Sequence, residues 1–127
     1  MIRTLIVDDH GAVQRGLARY LATLPDVDLV GIARTGAHAV RMAEELAPQV
    51  VLMDLVMPDM DGVDATRRIL EIRPDARIVV LTSFPDRRRI RRAVDAGAGH
   101  WLLKDAEPEE VASAIRRAAN GSSHATL

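Results

Sequence analysis

The chain has 127 residues, 48% of them hydrophobic, which suits one compact domain whose core buries roughly two-thirds of the surface exposed by the unfolded chain. A formal net charge of −1 with 28% charged residues marks no general nucleic-acid or membrane-surface binder, and the absence of cysteine excludes disulfides, thiolate metal sites and cysteine nucleophiles. No apolar run approaches the roughly 20 residues that span a bilayer, and the N-terminus lacks the apolar stretch of a signal peptide, so a soluble, cytoplasmic protein is expected.

In chain order, the short aliphatic run Leu5-Ile6-Val7 predicts a strand, and the stripe Val13, Leu17, Tyr20, Leu21 and Leu24 predicts the helix after it. Val27 to Ile32 alternates in part, as an edge strand does, and a helix is expected from about Gly36 to Leu46. Val50 to Met53 is a third, buried strand. Asp61 is placed to cap a helix reaching about Ile72, and Ile78 to Leu81 is the fourth strand. Asp86 caps a helix that turns Ile90, Ala93, Val94 and Gly97 inward, and Trp101-Leu102-Leu103 is the fifth strand. The last helix opens near Pro108, buries Val111, Ala114, Ile115 and Ala118, and stops at Asn120-Gly121, a pair suited to a left-handed cap. Five strands alternating with five helices predict a doubly wound α/β fold, a parallel sheet covered on both faces. In such a sheet, buried strands read as continuous aliphatic runs, as the first, third, fourth and fifth do.

Ligands of doubly wound sheets bind beyond the carboxyl ends of the strands, so the residues that close the aliphatic runs carry the functional information. The first run is followed by Asp8-Asp9, the third by Asp54, the fourth by Thr82 and the fifth by Lys104. Lys104 is the single lysine; every other basic residue is arginine. Carboxylates held about 5 Å apart repel by roughly 3 kcal/mol per pair at an effective dielectric near 20, so three of them call for a cation. Ligands that are all oxygen favour Mg²⁺, which takes octahedral oxygen coordination at about 2.1 Å and keeps several waters.

These residues, carried by Ile6-Val7-Asp8-Asp9-His10, by Met53-Asp54-Leu55-Val56-Met57-Pro58-Asp59-Met60-Asp61-Gly62, by Leu81-Thr82-Ser83 and by Leu102-Leu103-Lys104-Asp105, resemble the receiver domains of two-component response regulators over nearly the whole chain. The Asp-Asp-His and Leu-Leu-Lys-Asp sequences resemble the NarL/FixJ-type subgroup, whose receivers usually precede a LuxR-type helix-turn-helix domain. The resemblance implies a flavodoxin-like sheet of strand order 2-1-3-4-5. It also implies that Asp54 accepts a phosphoryl group from a sensor histidine kinase or a small donor such as acetyl phosphate. Asp9, Asp54 and the backbone carbonyl of Val56 would ligate Mg²⁺ directly, and Asp8 through water. Lys104 would neutralise the phosphoryl oxygens as a mobile point charge, a task for which arginine's rigid fork is less suited. Thr82 would donate its hydroxyl to the phosphoryl group and draw the following loop inward. Two such bonds, at about 1.5–3 kcal/mol each, approach the roughly 5.5 kcal/mol that inverts a two-state equilibrium from 1:99 to 99:1.

Residues 1–120 are thus expected to form the receiver and residues 121–127 a tail or the start of a linker to an absent DNA-binding output domain, with nucleic acid contacted only through that domain. The signalling surface would be the fourth helix, fifth strand and fifth helix. Trp101 stands where the family carries Tyr or Phe and is left outside the chemical site. Arg87, Arg88, Arg89, Arg91 and Arg92 form a solvated face, a contact for an acidic partner or homodimer mate or, third, a nucleic-acid contact for which the cluster alone offers no base-reading mechanism. His10, His38, His100 and His124 have no metal-ligand spacing and are expected in loops or at the surface. Met57-Pro58 and Gly62 shape the backbone, glycine by permitting conformations that other residues resist. Two competing functions remain. A haloacid dehalogenase-like phosphatase would need a second Asp two residues after the nucleophile, where Val56 stands, and a phosphorylation-independent interaction module would have lost the switch.

Overall fold

The computed structural model describes residues 1–83 and 86–121. Strands β1 (Ile2–Val7), β2 (Val27–Ala33), β3 (Val50–Asp54), β4 (Arg77–Thr82) and β5 (His100–Leu103) alternate with helices α1 (Gly11–Leu21), α2 (Gly36–Leu46), α3 (Gly62–Ile72), α4 (Arg87–Asp95) and α5 (Pro108–Ala119). The strands form one parallel sheet in the order β2-β1-β3-β4-β5, as expected.

Side chains of a strand point alternately to opposite faces, and here that alternation divides one aliphatic run between two cores. Leu5, Val7, Val51, Met53, Ile78 and Val80 face the layer of α2, α3 and α4. Ile6, Val50, Leu52, Val79 and Leu81 face α1 and α5. Burying each such side chain contributes about 1.5–3 kcal/mol, so both faces of β1, β3 and β4 resist any slip of register. Register is what aligns the strand ends: Val7 pairs with Met53, Asp54 with Leu81, and Thr82 with Leu103. Asp8 and Lys104 are the next residues after two of those pairs.

The helix signals act as expected. Asp61 accepts from the Val63 N–H at 2.8 Å and Asp86 from the Arg89 N–H at 3.2 Å, satisfying amides that the first turns of α3 and α4 leave open. Gly121, past the end of α5, takes a left-handed φ of 84°.

Four expectations are corrected. The aliphatic run of β5 reads as buried on both faces, but Trp101, Leu102 and Leu103 are half-buried, because β5 stands at the edge that the expected strand order gives it and pairs, among the described residues, with β4 alone. Gly97 does not face inward on α4; it is exposed beyond the helix end with φ 119°, and a Cβ there would lie 2.4 Å from Leu70 Cδ1. His100 is buried within β5 rather than on the surface, whereas His38 is exposed; His124 lies outside the described residues. Gly62 is required by close approach rather than by an unusual φ: a Cβ would stand 2.3 Å from the Asp54 carbonyl oxygen and 2.6 Å from Leu55 Cα. Both obstacles are backbone, so the first residue of α3 is pressed against the end of β3.

Gly62→Ala is therefore predicted to cost about 1–3 kcal/mol in urea unfolding, the usual range for forced overpacking. Stability equal to that of the wild type would contradict the close approach.

Candidate functional site

The aligned strand ends carry Asp8 and Asp9 after β1, Asp54 closing β3, Thr82 closing β4 and Lys104 after β5. The five residues singled out at the strand ends therefore share one edge of the sheet. Asp8 is fully buried and Asp54 is 2% exposed, both placed by the aliphatic residues that precede them. The Lys104 side chain is only 8% exposed, and its ammonium lies 3.1 Å from Asp8 Oδ2 and 3.0 Å from Asp54 Oδ2. The Lys104 backbone N–H donates to the Thr82 carbonyl at 2.8 Å, so the ends of β4 and β5 are tied together directly beneath the cation.

Backbone amides hold the carboxylates in orientation. Val56 N–H donates to Asp54 Oδ1 at 3.2 Å, and His10 N–H donates to Asp8 Oδ1 at 2.7 Å. Burial pushes the Asp54 carboxyl above its ordinary pKa; the Lys104 ammonium and the Val56 amide act in the opposite direction without cancelling it, and the charge of Asp8 adds to the rise.

One ammonium does not neutralise three carboxylates. Among the described residues, Asp8 Oδ2, Asp9 Oδ1 and Asp54 Oδ2 are buried oxygens that accept no well-directed hydrogen bond, although the first and third stand at ion-pair distance from Lys104. Orphaned anionic oxygens that converge are the signature of a cation position, because each otherwise bears its full desolvation cost. The donor set, dominated by carboxylate oxygen, fits a hard divalent ion.

His10 is the feature that spacing along the chain missed. Although the side chain is 56% exposed, its Nδ1 lies 3.1 Å from Asp8 Oδ1, 3.4 Å from Asp9 Oδ1, 3.7 Å from Asp54 Oδ2 and 3.0 Å from Lys104 Nζ. With its proton on Nε2 the ring accepts from Lys104; with the proton on Nδ1 it donates to Asp8. Its only sequence signal is adjacency to the acidic pair. Asp8, Asp9, His10 and Asp54 place one donor atom each within 4.8 Å of one another.

Beside the cluster, His10, Asp54, Val56, Thr82, Ser83, Asp86 and Arg89 line a cavity of about 230 Å³. Val56 exposes 55% of its surface there, and its side chain has no group able to transfer a proton. Asp59 extends the site laterally: its two carboxylate oxygens accept from the Gly36 and Ala37 N–H groups at 2.8 and 2.9 Å, capping α2 from the loop that follows β3. Those two donors hold the Asp59 carboxyl below the ordinary carboxylate range. Trp101 lies outside the cluster, half-buried against the core beneath α2, α3 and α4. On α4, Arg87, Arg88, Arg91 and Arg92 are exposed, and Arg92 approaches Asp61 at 3.8 Å. Among the described residues no helix is long and apolar enough to cross a membrane.

Comparison with known proteins agrees with this arrangement. The family described as the response regulator receiver domain matches residues 4–116. The transcriptional regulatory protein LiaR of Bacillus subtilis is 47% identical over 121 residues, which cover 95% of this chain and 57% of LiaR. The response regulator protein VraR of Staphylococcus aureus is 41% identical over 122 residues, 96% of this chain and 58% of VraR. The chain thus spans somewhat over half the length of these relatives. Among solved structures, the signal receiver domain of NarL from Mycobacterium tuberculosis superposes with a TM-score of 0.90 at 29% identity, covering 94% of this chain and 97% of that one. A LuxR-family two-component response regulator from Aurantimonas gives 0.89 at 32% identity, over 95% and 86% of the respective chains. With a matching family, a matching fold and an acidic cluster at the strand ends, the chain belongs to the response regulator receiver domains, within the LuxR/NarL-type group.

Proposed function

We propose that this receiver is a phosphorylation switch in which Asp54 accepts a phosphoryl group from the phosphohistidine of a sensor histidine kinase, assisted by Mg²⁺. The observation that carries the reading is the trio of orphaned carboxylate oxygens on Asp8, Asp9 and Asp54 facing one buried ammonium. A carboxylate oxygen of Asp54 attacks phosphorus, the phosphorus–nitrogen bond of the donor breaks, and the imidazole leaves with its electron pair. The product is an acyl phosphate on Asp54. Asp8, Asp9, Asp54 and the Val56 carbonyl are the groups assigned to the ion, which when bound supplies positive charge to the phosphoryl oxygens.

The chain's own residues do the rest. Lys104 already pairs with Asp54 Oδ2 at 3.0 Å, and a flexible ammonium can follow the charge from carboxylate to phosphoryl oxygen. Thr82, on the wall of the same cavity, is assigned the hydroxyl that binds the new group and draws in the chain after β4. That movement is read out on α4, β5 and α5. Only Asp54's own modification and its hydrolysis are needed, so no external substrate is assigned, and the inert side chain of Val56 argues against an ester phosphatase.

Residues 1–120 are taken as the switch and 121–127 as a tail or the start of a linker to an output domain. The names of LiaR and of the LuxR-family regulators support a DNA-binding transcription regulator as the parent protein, with DNA contacted by that output domain. The basic face of α4 favours an acidic partner, and a second copy of the chain is the other partner this reading admits.

Incubation with acetyl phosphate and Mg²⁺ is predicted to add one phosphoryl mass, labile to hydroxylamine and lost in Asp54→Asn. A wild-type chain that takes up no adduct would instead be a phosphorylation-independent module.

Stability gives a second check. Because burial raises the Asp54 pKa in the folded state, the folded chain holds this proton more tightly than the unfolded one, whose value is near 3.8. Its favourable contribution is complete below that value and lost as pH rises through the folded pKa, so at neutral pH the ionised carboxylate works against folding. Asp54→Asn is predicted to raise the thermal midpoint in EDTA at pH 7, and to abolish most of the stabilisation by Mg²⁺, which in the wild type should reach about 2.7 kcal/mol at roughly one hundred times the dissociation constant. A lower midpoint for the variant in EDTA would contradict the assignment.

A further inference from the structure

An oxygen-only magnesium site has no use for an imidazole, yet His10 turns a ring nitrogen into the carboxylate cluster. Its Nδ1 stands 3.1, 3.4 and 3.7 Å from oxygens of Asp8, Asp9 and Asp54. Ligand atoms arranged tetrahedrally at about 2.0 Å from an ion are separated from one another by about 3.3 Å, so these three spacings need little adjustment to share one. A separate observation points the same way: among the described residues Asp8 Oδ2, Asp9 Oδ1 and Asp54 Oδ2 are buried without hydrogen bonds, and the side chains of Asp8 and Asp54 are almost wholly inside the protein.

We propose that Asp8, Asp9, His10 and Asp54 form a mixed nitrogen–oxygen site for a borderline transition-metal dication of the Zn²⁺ class, in addition to serving a hard cation. The proposal rests on the reading of this cluster as a cation site, and it assigns to His10 the discrimination between two classes of ion. Mg²⁺ prefers oxygen and gains little from an imidazole, whereas Zn²⁺, Cu²⁺ and Ni²⁺ take histidine nitrogen readily. His10 therefore adds affinity selectively.

The consequence for the switch follows from the ligand count. Four protein ligands fill a tetrahedral shell and leave no position for a phosphoryl oxygen, as in closed structural zinc sites. The Lys104 ammonium, 3.0 Å from His10 Nδ1, 3.1 Å from Asp8 Oδ2 and 3.0 Å from Asp54 Oδ2, stands among the same donor atoms and must withdraw when one ion takes all four of them, His10 Nδ1 included. A zinc-class ion held in this way opposes phosphoryl acceptance by occupying both the nucleophile and the place of its cationic assistant.

The test is calorimetric titration of the 127-residue chain with ZnCl₂ and, separately, MgCl₂, for the wild type, His10→Ala and His10→Gln, each checked for native circular dichroism. One Zn²⁺ per chain is expected, with Zn²⁺ affinity falling at least about tenfold in both variants and Mg²⁺ affinity falling less. Loss of affinity for both metals in equal measure, an unchanged Zn²⁺ affinity, or no Zn²⁺ binding to the wild type overturns the proposal. Visible absorption of the Co²⁺-loaded wild type gives an independent reading: intense tetrahedral bands support the mixed site, and weak octahedral bands overturn it even if the variants fail to fold. A wild-type chain that takes Zn²⁺ through His10 but no Mg²⁺ supports this proposal while overturning the magnesium assignment made above.

Discussion

The structure depends on one electrostatic constraint: Asp8 and Asp54, both buried, are held side by side at the ends of neighbouring strands with one ammonium between them. Left alone, such groups would separate or take up protons. They cannot separate because Val7 pairs with Met53 in a sheet whose side chains are locked in two cores, so the aliphatic register fixes the distance between the acids. Hydrophobic burial thus bears the cost of concentrating negative charge, and the residual charge becomes an affinity for cations. Lys104 pairs with Asp8 and Asp54 but leaves Asp9 Oδ1 without a hydrogen bond among the described residues, His10 Nδ1 standing 3.4 Å away, so its compensation is incomplete.

Around this cluster the backbone transmits position instead of storing it locally. Gly62 lets α3 press against the carbonyl of Asp54, so the end of β3 and the start of α3 are packed directly together. Asp59 joins the same loop to the first amides of α2. On the other side, the Lys104 amide is bonded to the Thr82 carbonyl, which couples β5 to the β4 end. Asp54 is thus connected to α2 and α3 through one set of contacts, and the β4–β5 edge beside it is tied by another. Rigid elements with few alternatives are what allow a small local event to become a change in surface.

Much of this was legible in the chain because strand periodicity and strand termini are local properties. Leu5-Ile6-Val7 followed by two acids, Val50 to Met53 followed by Asp54, and Leu102-Leu103 followed by the single lysine state both the fold and the edge at which the chemistry lies. The caps Asp61, Asp86 and Gly121 were likewise legible, since each acts on amides or φ angles within a few residues. What escaped depends on contacts across the fold. His10 looks like a loop residue until the sheet brings Asp54 and Lys104 beside it. The aliphatic sequence of β5 reads as buried on both faces because a local run does not show how little packs over a strand at the sheet edge. His100 and Gly62 were misjudged for the same reason, their roles being set by what packs over them and not by their own neighbours in sequence.

The most direct test of the convergence itself is the location of a bound paramagnetic ion. Substoichiometric Mn²⁺ added to the ¹⁵N-labelled chain should broaden the amides of residues 8–10, 54–56, 82–83 and 104–105 first, while those of Asp26, Gln49 and Asp75, at the opposite edge of the sheet, remain sharp. Broadening centred on that opposite edge, or spread without preference over the acidic surface, would contradict a single cation position built from Asp8, Asp9 and Asp54.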